Sequence, residues 1–172
     1  MKFLIFSDSH GERRAMESAI EANLSDLAGI FFLGDGLRDI EALSNFYPQI
    51  PVAAVAGNCD HFFVSENEED FERLVEAGGK KILIAHGHRL GVKGSLTRAA
   101  EHAIARGADL FLFGHTHRPT EIYLPPEEGR EKGLYLFNPG SASFSSDGTA
   151  SFGVLELRGN DLLLSHGKVE RR

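Results

Sequence analysis

The chain has 172 residues, of which 42% are hydrophobic and 25% charged, a composition typical of globular proteins and not of disordered chains. Its formal net charge of −7 argues against an extended nucleic-acid track, because such a track needs a basic surface. No apolar run approaches the roughly 20 residues that span a bilayer, so we expect no membrane partner. The length predicts one domain over residues 1–172. The single cysteine and the lack of a signal-peptide pattern predict a cytoplasmic protein.

Apolar runs alternate with helical spacing in the first two thirds of the chain, and strand patterns follow. In chain order, we predict strands at residues 2–6, 30–33, 52–56, 71–75, 81–85 and 110–113, and helices at 11–23, 39–43 and 95–106. After Pro119 we predict only strands, at residues 121–124, 133–137, 151–157 and 161–169. Gly78-Gly79 indicates a hairpin, Ser95 a helix N-cap and Gly107 a helix end. The pattern predicts an α/β fold with two sheets packed face to face and helices outside.

Five of the apolar runs end in a short turn that carries Asp, Asn or His. These turns are Asp8-Ser9-His10, Gly34-Asp35-Gly36, Gly57-Asn58-Cys59-Asp60, His86-Gly87-His88 and Gly114-His115-Thr116-His117. Each turn alone has an ordinary explanation, such as a tight turn or a surface histidine. Since ligands of open α/β sheets bind at the carboxyl ends of the strands, the recurrence indicates one shared site.

The candidate metal ligands are two carboxylates, one amide and four imidazoles. They are Asp8, His10, Asp35, Asn58, His86, His115 and His117. Such a set suits divalent transition metals, with Mn as our first expectation and Ni, Zn, Fe or Co as alternatives. Seven ligands are too many for one tetrahedral ion and suit two ions that share a carboxylate. Two ions about 3.5–4 Å apart can hold a hydroxide and neutralise phosphoryl oxygens, so the set predicts hydrolysis of a phosphate ester.

In order and form, these motifs resemble the calcineurin-like metallophosphoesterase superfamily. The short chain, the turn Gly57-Asn58-Cys59-Asp60 and the segment Asn138-Pro139-Gly140-Ser141 resemble its small single-domain phosphodiesterases of bacteria and archaea. The resemblance implies a four-layer α/β/β/α sandwich of two mixed β-sheets packed face to face with flanking helices. It also implies a small phosphodiester substrate, attack by a hydroxide that bridges two metal ions, and a homodimer or homotetramer.

The resemblance also divides the ligands between the two ions. Asp8, His10 and His117 would hold one ion, Asn58, His86 and His115 the other, and Asp35 would bridge them. The superfamily usually has a histidine after the asparagine, where it assists the leaving group, but this chain has Cys59. A thiol is a weak donor, so an easily expelled leaving group is expected. We therefore name Asn58, Cys59 and His88 as candidate catalytic residues.

Alternatives remain for individual residues and for the function. Cys59 has a second interpretation as a buried small hydrophobe, and His88 as an exposed or merely supporting histidine. His61, His102 and His166 fall outside the motifs and are interpreted as surface or helix residues. The alternative functions are a phosphomonoesterase or nuclease at the same site, or a non-catalytic protein-binding scaffold of the same fold.

Overall fold

A computed structural model of the protein describes residues 1–60, 67–128 and 130–171. Its helices and strands, in chain order, are β1 (Lys2–Phe6), α1 (Arg14–Glu21), β2 (Leu27–Phe32), α2 (Leu37–Phe46), β3 (Val52–Ala54), α3 (Glu68–Phe71), β4 (Glu72–Ala77), β5 (Lys80–Ala85), a 3₁₀ helix (His88–Leu90), α4 (Thr97–Ala105), β6 (Leu110–Phe113), β7 (Thr120–Leu124), β8 (Leu134–Asn138), β9 (Thr149–Arg158) and β10 (Asp161–Glu170). Within the described ranges, no helix is long and apolar enough to cross a membrane.

The strands form two five-stranded sheets, both mixed. The first sheet has the order β10-β9-β1-β2-β3, in which β1, β2 and β3 are parallel and β9 is antiparallel to its neighbours. The second has the order β4-β5-β6-β8-β7, in which β5, β6 and β8 are parallel and the two edge strands antiparallel. This architecture confirms the predicted α/β fold. The parallel strands bring five motif-bearing turns to the carboxyl ends of the sheets.

Alternating side chains along the strands produce the layers. On β1, Ile5 joins the apolar cluster between the sheets, together with Leu112 of β6 and Phe137 of β8. Leu4 and Phe6, on the other face of β1, pack with α1 and α2 outside the first sheet. A third cluster lies between the second sheet and the alanine-rich face of α4. Successive strand residues point to opposite faces, so both faces of each central strand are buried.

The element boundaries differ from the predicted ones where turns compete with regular structure. Helix α1 begins at Arg14 instead of residue 11, because Glu12 donates its N–H to the Ser9 carbonyl and Gly11 has a left-handed φ of 90°. Helix α2 is twice the predicted length, from Leu37 to Phe46. The glycine hairpin joins β4 and β5 as predicted, with φ of 54° at Gly78 and 73° at Gly79.

Candidate metal centre

The candidate ligands lie in turns whose backbone is strained. Five non-glycine residues in the described part of the chain have φ between 47° and 67°, in the left-handed region. All five are candidate ligands: Asp8, His10, Asp35, His115 and His117. This conformation costs free energy in an L-residue and persists only where the surroundings enforce it, often at functional sites. The backbone therefore marks five of the seven candidate ligands that the motifs indicate.

Both sheets contribute to the cluster. The turns after β1, β2 and β3 carry the acids and the amide, and the turns after β5 and β6 carry most of the histidines. Nε2 of His117 lies 3.1 Å from Oδ1 of Asp8 and 3.4 Å from Nε2 of His10. Ligand atoms of these three residues all lie within 4.8 Å of one another, which is close enough to share one ion.

Asp35 lies between the two histidine groups. Its Oδ2 is 3.9 Å from Nε2 of His10 and 3.5 Å from Nε2 of His86. Nε2 of His86 is also 3.8 Å from Oδ1 of Asp8. A carboxylate placed between two imidazoles from different turns has the position that a bridging ligand needs.

Asn58 and His115 are less closely joined to the cluster. The ring of His115 packs at 5.0 Å from the ring of His86, centroid to centroid, but His115 joins none of the close groups of ligand atoms among the described residues. Asn58 is exposed, and the following N–H, that of Cys59, donates to Oδ1 of Asp35 at 2.7 Å. The turn that carries Asn58 is thus attached directly to Asp35.

Two buried atoms at the centre of the cluster have no hydrogen-bond partner among the described residues, which tests whether the site fits a cation. They are Oδ1 of Asp8 and Nε2 of His86, and both residues are fully buried. Nδ1 of His86 lies 2.7 Å from the Leu33 carbonyl, so Nδ1 carries a proton and donates it there. This contact orients the ring and leaves Nε2 facing Asp35, the arrangement common in metal-binding histidines. Burying unpartnered polar atoms is costly, and a bound cation would remove that cost.

The electrostatics of Asp35 and His86 favour positive charge between them. Burial raises the pKa of Asp35, but the nearby imidazole of His86 and the N–H of Cys59 outweigh this effect, so the pKa of Asp35 is lowered. Burial lowers the pKa of His86, but Asp35 and Asp8 outweigh it, so the pKa of His86 is raised. Without metal, the site therefore stabilises a proton where a metal cation would bind. The donor set and its charge fit divalent ions.

Asp60 supports the centre, although we assigned it no role from the sequence. Its Oδ2 accepts the N–H groups of Asp35 at 2.7 Å and Gly57 at 2.9 Å, and its Oδ1 accepts those of Gly36 and Leu37 at 3.0 Å each. One buried carboxylate thus holds the turns after β2 and β3 together. Its position two residues after Asn58, within the same motif, is the sequence feature that could have indicated this role.

Two further polar residues hold the other turns. Oδ2 of Asp39, on α2, accepts the Ser9 hydroxyl at 2.6 Å and the Gly11 N–H at 2.8 Å. Nδ2 of Asn138, at the end of β8, donates to the Gly114 carbonyl at 2.8 Å and to the Thr116 hydroxyl at 3.0 Å. Asn138 opens the family-like segment Asn138-Pro139-Gly140-Ser141, whereas no sequence pattern distinguishes Asp39 from an ordinary helix residue.

Cys59 is exposed, so its interpretation as a buried hydrophobe was wrong. Partial burial of the thiol and the neighbouring Asp35 nevertheless raise its pKa to about 11, so it stays protonated at neutral pH. His88 is half-buried, with its ring 5.4 Å from that of His86 and 6.1 Å from that of His115. Burial and the charge of His86 lower the pKa of His88 to about 4, so it is neutral at pH 7.

Two further described histidines make contacts outside the set of candidate ligands. His102, on α4, contacts Glu72 at 2.6 Å. His166, exposed on β10, stacks on Phe137 at 4.4 Å and contacts the Asn138 carbonyl at 2.8 Å. His61 lies outside the described residues. The first two agree with their interpretation as helix and surface residues.

Comparison with known proteins identifies relatives along almost the whole chain. The model of the calcineurin-like phosphoesterase superfamily domain matches residues 1–160. A curated relative, the probable metallophosphoesterase YsnB of Bacillus subtilis, is 33% identical over 142 residues, which are 82% of this chain and 75% of that protein.

Solved structures with the same fold include two informative neighbours. The wild-type Vps29 of Entamoeba histolytica, complexed with Zn²⁺, has a TM-score of 0.69 and 20% identity, and the match covers 99% of each chain. An archaeal phosphodiesterase has a TM-score of 0.68 and 23% identity, with 96% of this chain and 99% of that chain covered. At these identities the two structures establish the fold alone.

Proposed function

Because the chain belongs to the calcineurin-like phosphoesterase superfamily, we propose that it is a phosphodiesterase that hydrolyses a small phosphodiester at a centre of two divalent metal ions. The observation that carries the proposal is the position of Asp35 between His10 and His86, next to two buried ligand atoms without partners. The archaeal phosphodiesterase of the same fold supports the choice of a diester.

The proposed ligands follow the division that the motifs imply. One ion would be held by Asp8, His10 and His117, the other by Asn58, His86 and His115, with Asp35 shared between them. When bound, the ions supply an activated water and neutralise charge on the phosphoryl oxygens. Manganese is our first choice, and the zinc in a Vps29 of this fold supports zinc as an alternative.

The chain's own groups around the centre favour an easily expelled leaving group. The thiol of Cys59, held beside Asp35, stays protonated but is a weak hydrogen-bond donor. His88 is neutral at pH 7, so it can orient a phosphoryl oxygen or leaving group by one hydrogen bond but carries no positive charge. The exposed amide of Asn58 can donate to the same group. A phenolate or an activated nucleotide needs less acid assistance than an alkoxide does.

The first experiment compares bis-p-nitrophenyl phosphate with p-nitrophenyl phosphate after the metals have been removed. Mn, Ni, Co, Zn and Mg are restored in turn. We expect diester hydrolysis to return with a transition metal and to exceed monoester hydrolysis. Faster monoester hydrolysis would indicate a phosphomonoesterase, and degradation of DNA a nuclease. Bound metal without turnover of any of these esters would favour the scaffold.

The variant Asp35→Asn tests the shared ligand. The amide keeps the acceptor for the Cys59 N–H but removes the negative charge. Substituting a residue that only orients a metal ligand lowers metal affinity or activity about 10- to 100-fold. Because Asp35 would itself be a ligand, we expect activity to fall by at least about 100-fold. Asp26→Asn, at an exposed ion pair with Lys2, is the matched control. Normal turnover and full metal content in Asp35→Asn would contradict the bridging role.

A further inference from the structure

A cavity lies beside the turn after β6, the turn that carries the candidate ligands His115 and His117. Its volume is about 420 Å³. Val92, Leu96 and Phe113 form an apolar floor, and Thr116 and Thr120 add hydroxyl groups. Two exposed cations, Lys93 and Arg118, complete the lining. The cavity combines an apolar surface with concentrated positive charge.

The cavity adjoins the candidate ligands through the turn after β6. Thr116 lies between His115 and His117, and Arg118 follows His117, with consecutive Cα atoms about 3.8 Å apart. The Thr116 hydroxyl accepts the Arg118 N–H at 3.3 Å and the Asn138 amide at 3.0 Å. These bonds fix the backbone of the turn relative to β8. Because the turn with two candidate ligands also supplies two residues of the cavity lining, a substrate held at the centre can extend toward this cavity.

The positive charge of the cavity is not neutralised within the described structure. Neither Lys93 nor Arg118 forms an ion pair among the described residues, and no acidic residue lines the cavity. By contrast, Arg106 pairs with Glu72 and Arg158 with Glu156. In a chain with a net charge of −7, two unpaired cations over an apolar floor indicate a site for an anion.

A different cavity, on the side of His88, provides a contrast. It has about 400 Å³ and is lined by His88, Arg89 and the group of Glu72, His102 and Arg106. There Glu72 contacts both His102 and Arg106. The guanidinium of Arg89 lies over the ring of Phe71, 3.4 Å from the ring centroid. Two acids, Glu69 and Glu72, line that cavity, whereas no described acidic residue lines the cavity of Lys93 and Arg118, so the latter suits an anion better.

We propose that the cavity at Lys93 and Arg118 binds a second phosphate, carried as a monoester on the same substrate as the phosphodiester. A phosphate monoester has about −1.5 to −2 charges at pH 7 and three acceptor oxygens, which suit an arginine fork and a nearby ammonium. The apolar floor would contact the sugar, or another ring, that joins the two phosphates. The substrate class is then a nucleotide-like diester with an additional terminal phosphate. This assignment rests on the proposed function.

The test uses two substrates that differ only in the second phosphate. These are thymidine 5′-(p-nitrophenyl phosphate) and the same compound with a 3′-phosphate. At low salt we expect the 3′-phosphate to raise kcat/KM about tenfold, the value of one charge-assisted hydrogen bond. The variants Arg118→Gln and Lys93→Gln should remove most of this preference. Arg98→Gln, an exposed cation on α4 outside the cavity, should keep it.

A binding measurement separates this proposal from the proposed function. Calorimetry on the metal-loaded protein compares thymidine 3′,5′-bisphosphate with thymidine 5′-monophosphate, and the bisphosphate should bind about tenfold more tightly. Equal affinities in the wild-type protein, or an unchanged preference in Arg118→Gln, would overturn the second-phosphate site and leave the phosphodiesterase proposal intact. If Arg118→Gln loses the preference for the bisphosphate, the second-phosphate site is supported. If the wild-type protein also cleaves no diester, the phosphodiesterase proposal is rejected while the site stands.

Discussion

Single polar side chains hold the strained turns in place. The carboxylate of Asp60 is 3% exposed and accepts four backbone N–H groups from two turns. A carboxylate suits this role because both of its oxygens are acceptors, whereas an amide has one acceptor and one donor group. The position of Asp35 therefore depends on a residue outside the proposed set of metal ligands.

The variant Asp60→Asn should lose stability and metal together. The amide would direct an NH₂ group at two backbone donors, and leaving buried donors unsatisfied costs about 1–3 kcal/mol each, so we expect a loss of about 3 kcal/mol. Metal affinity should fall about 10- to 100-fold. Urea unfolding and competition with a chelator measure these changes, and Glu41→Gln, exposed on α2, is the control. An unchanged urea midpoint would mean that the four hydrogen bonds contribute little.

Alkylation of Cys59 provides a pH-dependent prediction. It is the single cysteine of the chain, and only its thiolate reacts with iodoacetamide. Because its pKa is raised to about 11, thiolate is scarce at pH 8, and the rate should keep rising up to about pH 11. We expect metal-free protein to react about 100-fold more slowly at pH 8 than the same protein unfolded in guanidinium. Equal rates would contradict the influence of burial and Asp35 on the thiol.

At the scale of elements, the centre forms where the ends of β1 and β6 meet. The two strands belong to different sheets, and Asp8 joins them because its Oδ2 accepts the His115 N–H at 3.0 Å. The same oxygen accepts the hydroxyl of the neighbouring Ser7 at 2.5 Å. The segment between β8 and β9 adds the Ser141 hydroxyl, which donates to the Asp8 carbonyl at 2.8 Å. The geometry of the ligands thus depends on how closely the two turns approach.

The variant Gly114→Ala should separate these turns. An added Cβ would lie 1.9 Å from the Ser7 hydroxyl oxygen and 2.8 Å from Oδ2 of Asp8. Relieving that overlap displaces Asp8, and overpacking of this kind typically costs about 1–3 kcal/mol. We expect weaker metal binding by chelator competition and a lower unfolding temperature. Gly94→Ala, whose Cβ would meet nothing nearer than 3.6 Å, is the matched control and should change neither.

At the scale of the whole molecule, both sheets share one apolar interior and one set of ligands. Ile5 and Leu155 of the first sheet pack with Phe137 of the second. The proposed metal ligands also come from turns of both sheets, so each bound ion would join them. We therefore propose that residues 1–172 form a single domain, in which neither sheet is stable without the other.

Thermal unfolding tests this proposal. The metal-free protein should unfold in one transition whose calorimetric and van't Hoff enthalpies agree. A metal at 100 times its dissociation constant stabilises the native state by about 2.7 kcal/mol. For a chain of this size that shifts the whole transition upward by about 5 to 10 °C. Two resolved transitions, or a metal-dependent shift of only part of the signal, would contradict a single domain.

Much of the fold was predictable because its signals are local. The apolar runs at residues 2–6 and 110–113 became β1 and β6, and paired glycines formed the hairpin between β4 and β5. The boundaries of α1 were less predictable, because Gly11 donates its N–H to Asp39, a residue distant in sequence. Local patterns report backbone preferences and burial but contain no information about such partners.

The sequence by itself determined the residue types at the candidate centre and the strands they follow, because a buried strand and the turn that ends it are both local in character. Tertiary structure alone decided that β9 and β10 extend the sheet of β1, with β9 beside β1, and that β8 lies beside β6 in the other sheet. It also decided that Asp60 and Asn138 hold the turns, and that Lys93 and Arg118 share one cavity. These relations join residues far apart in sequence, so they depend on the packing of the whole chain.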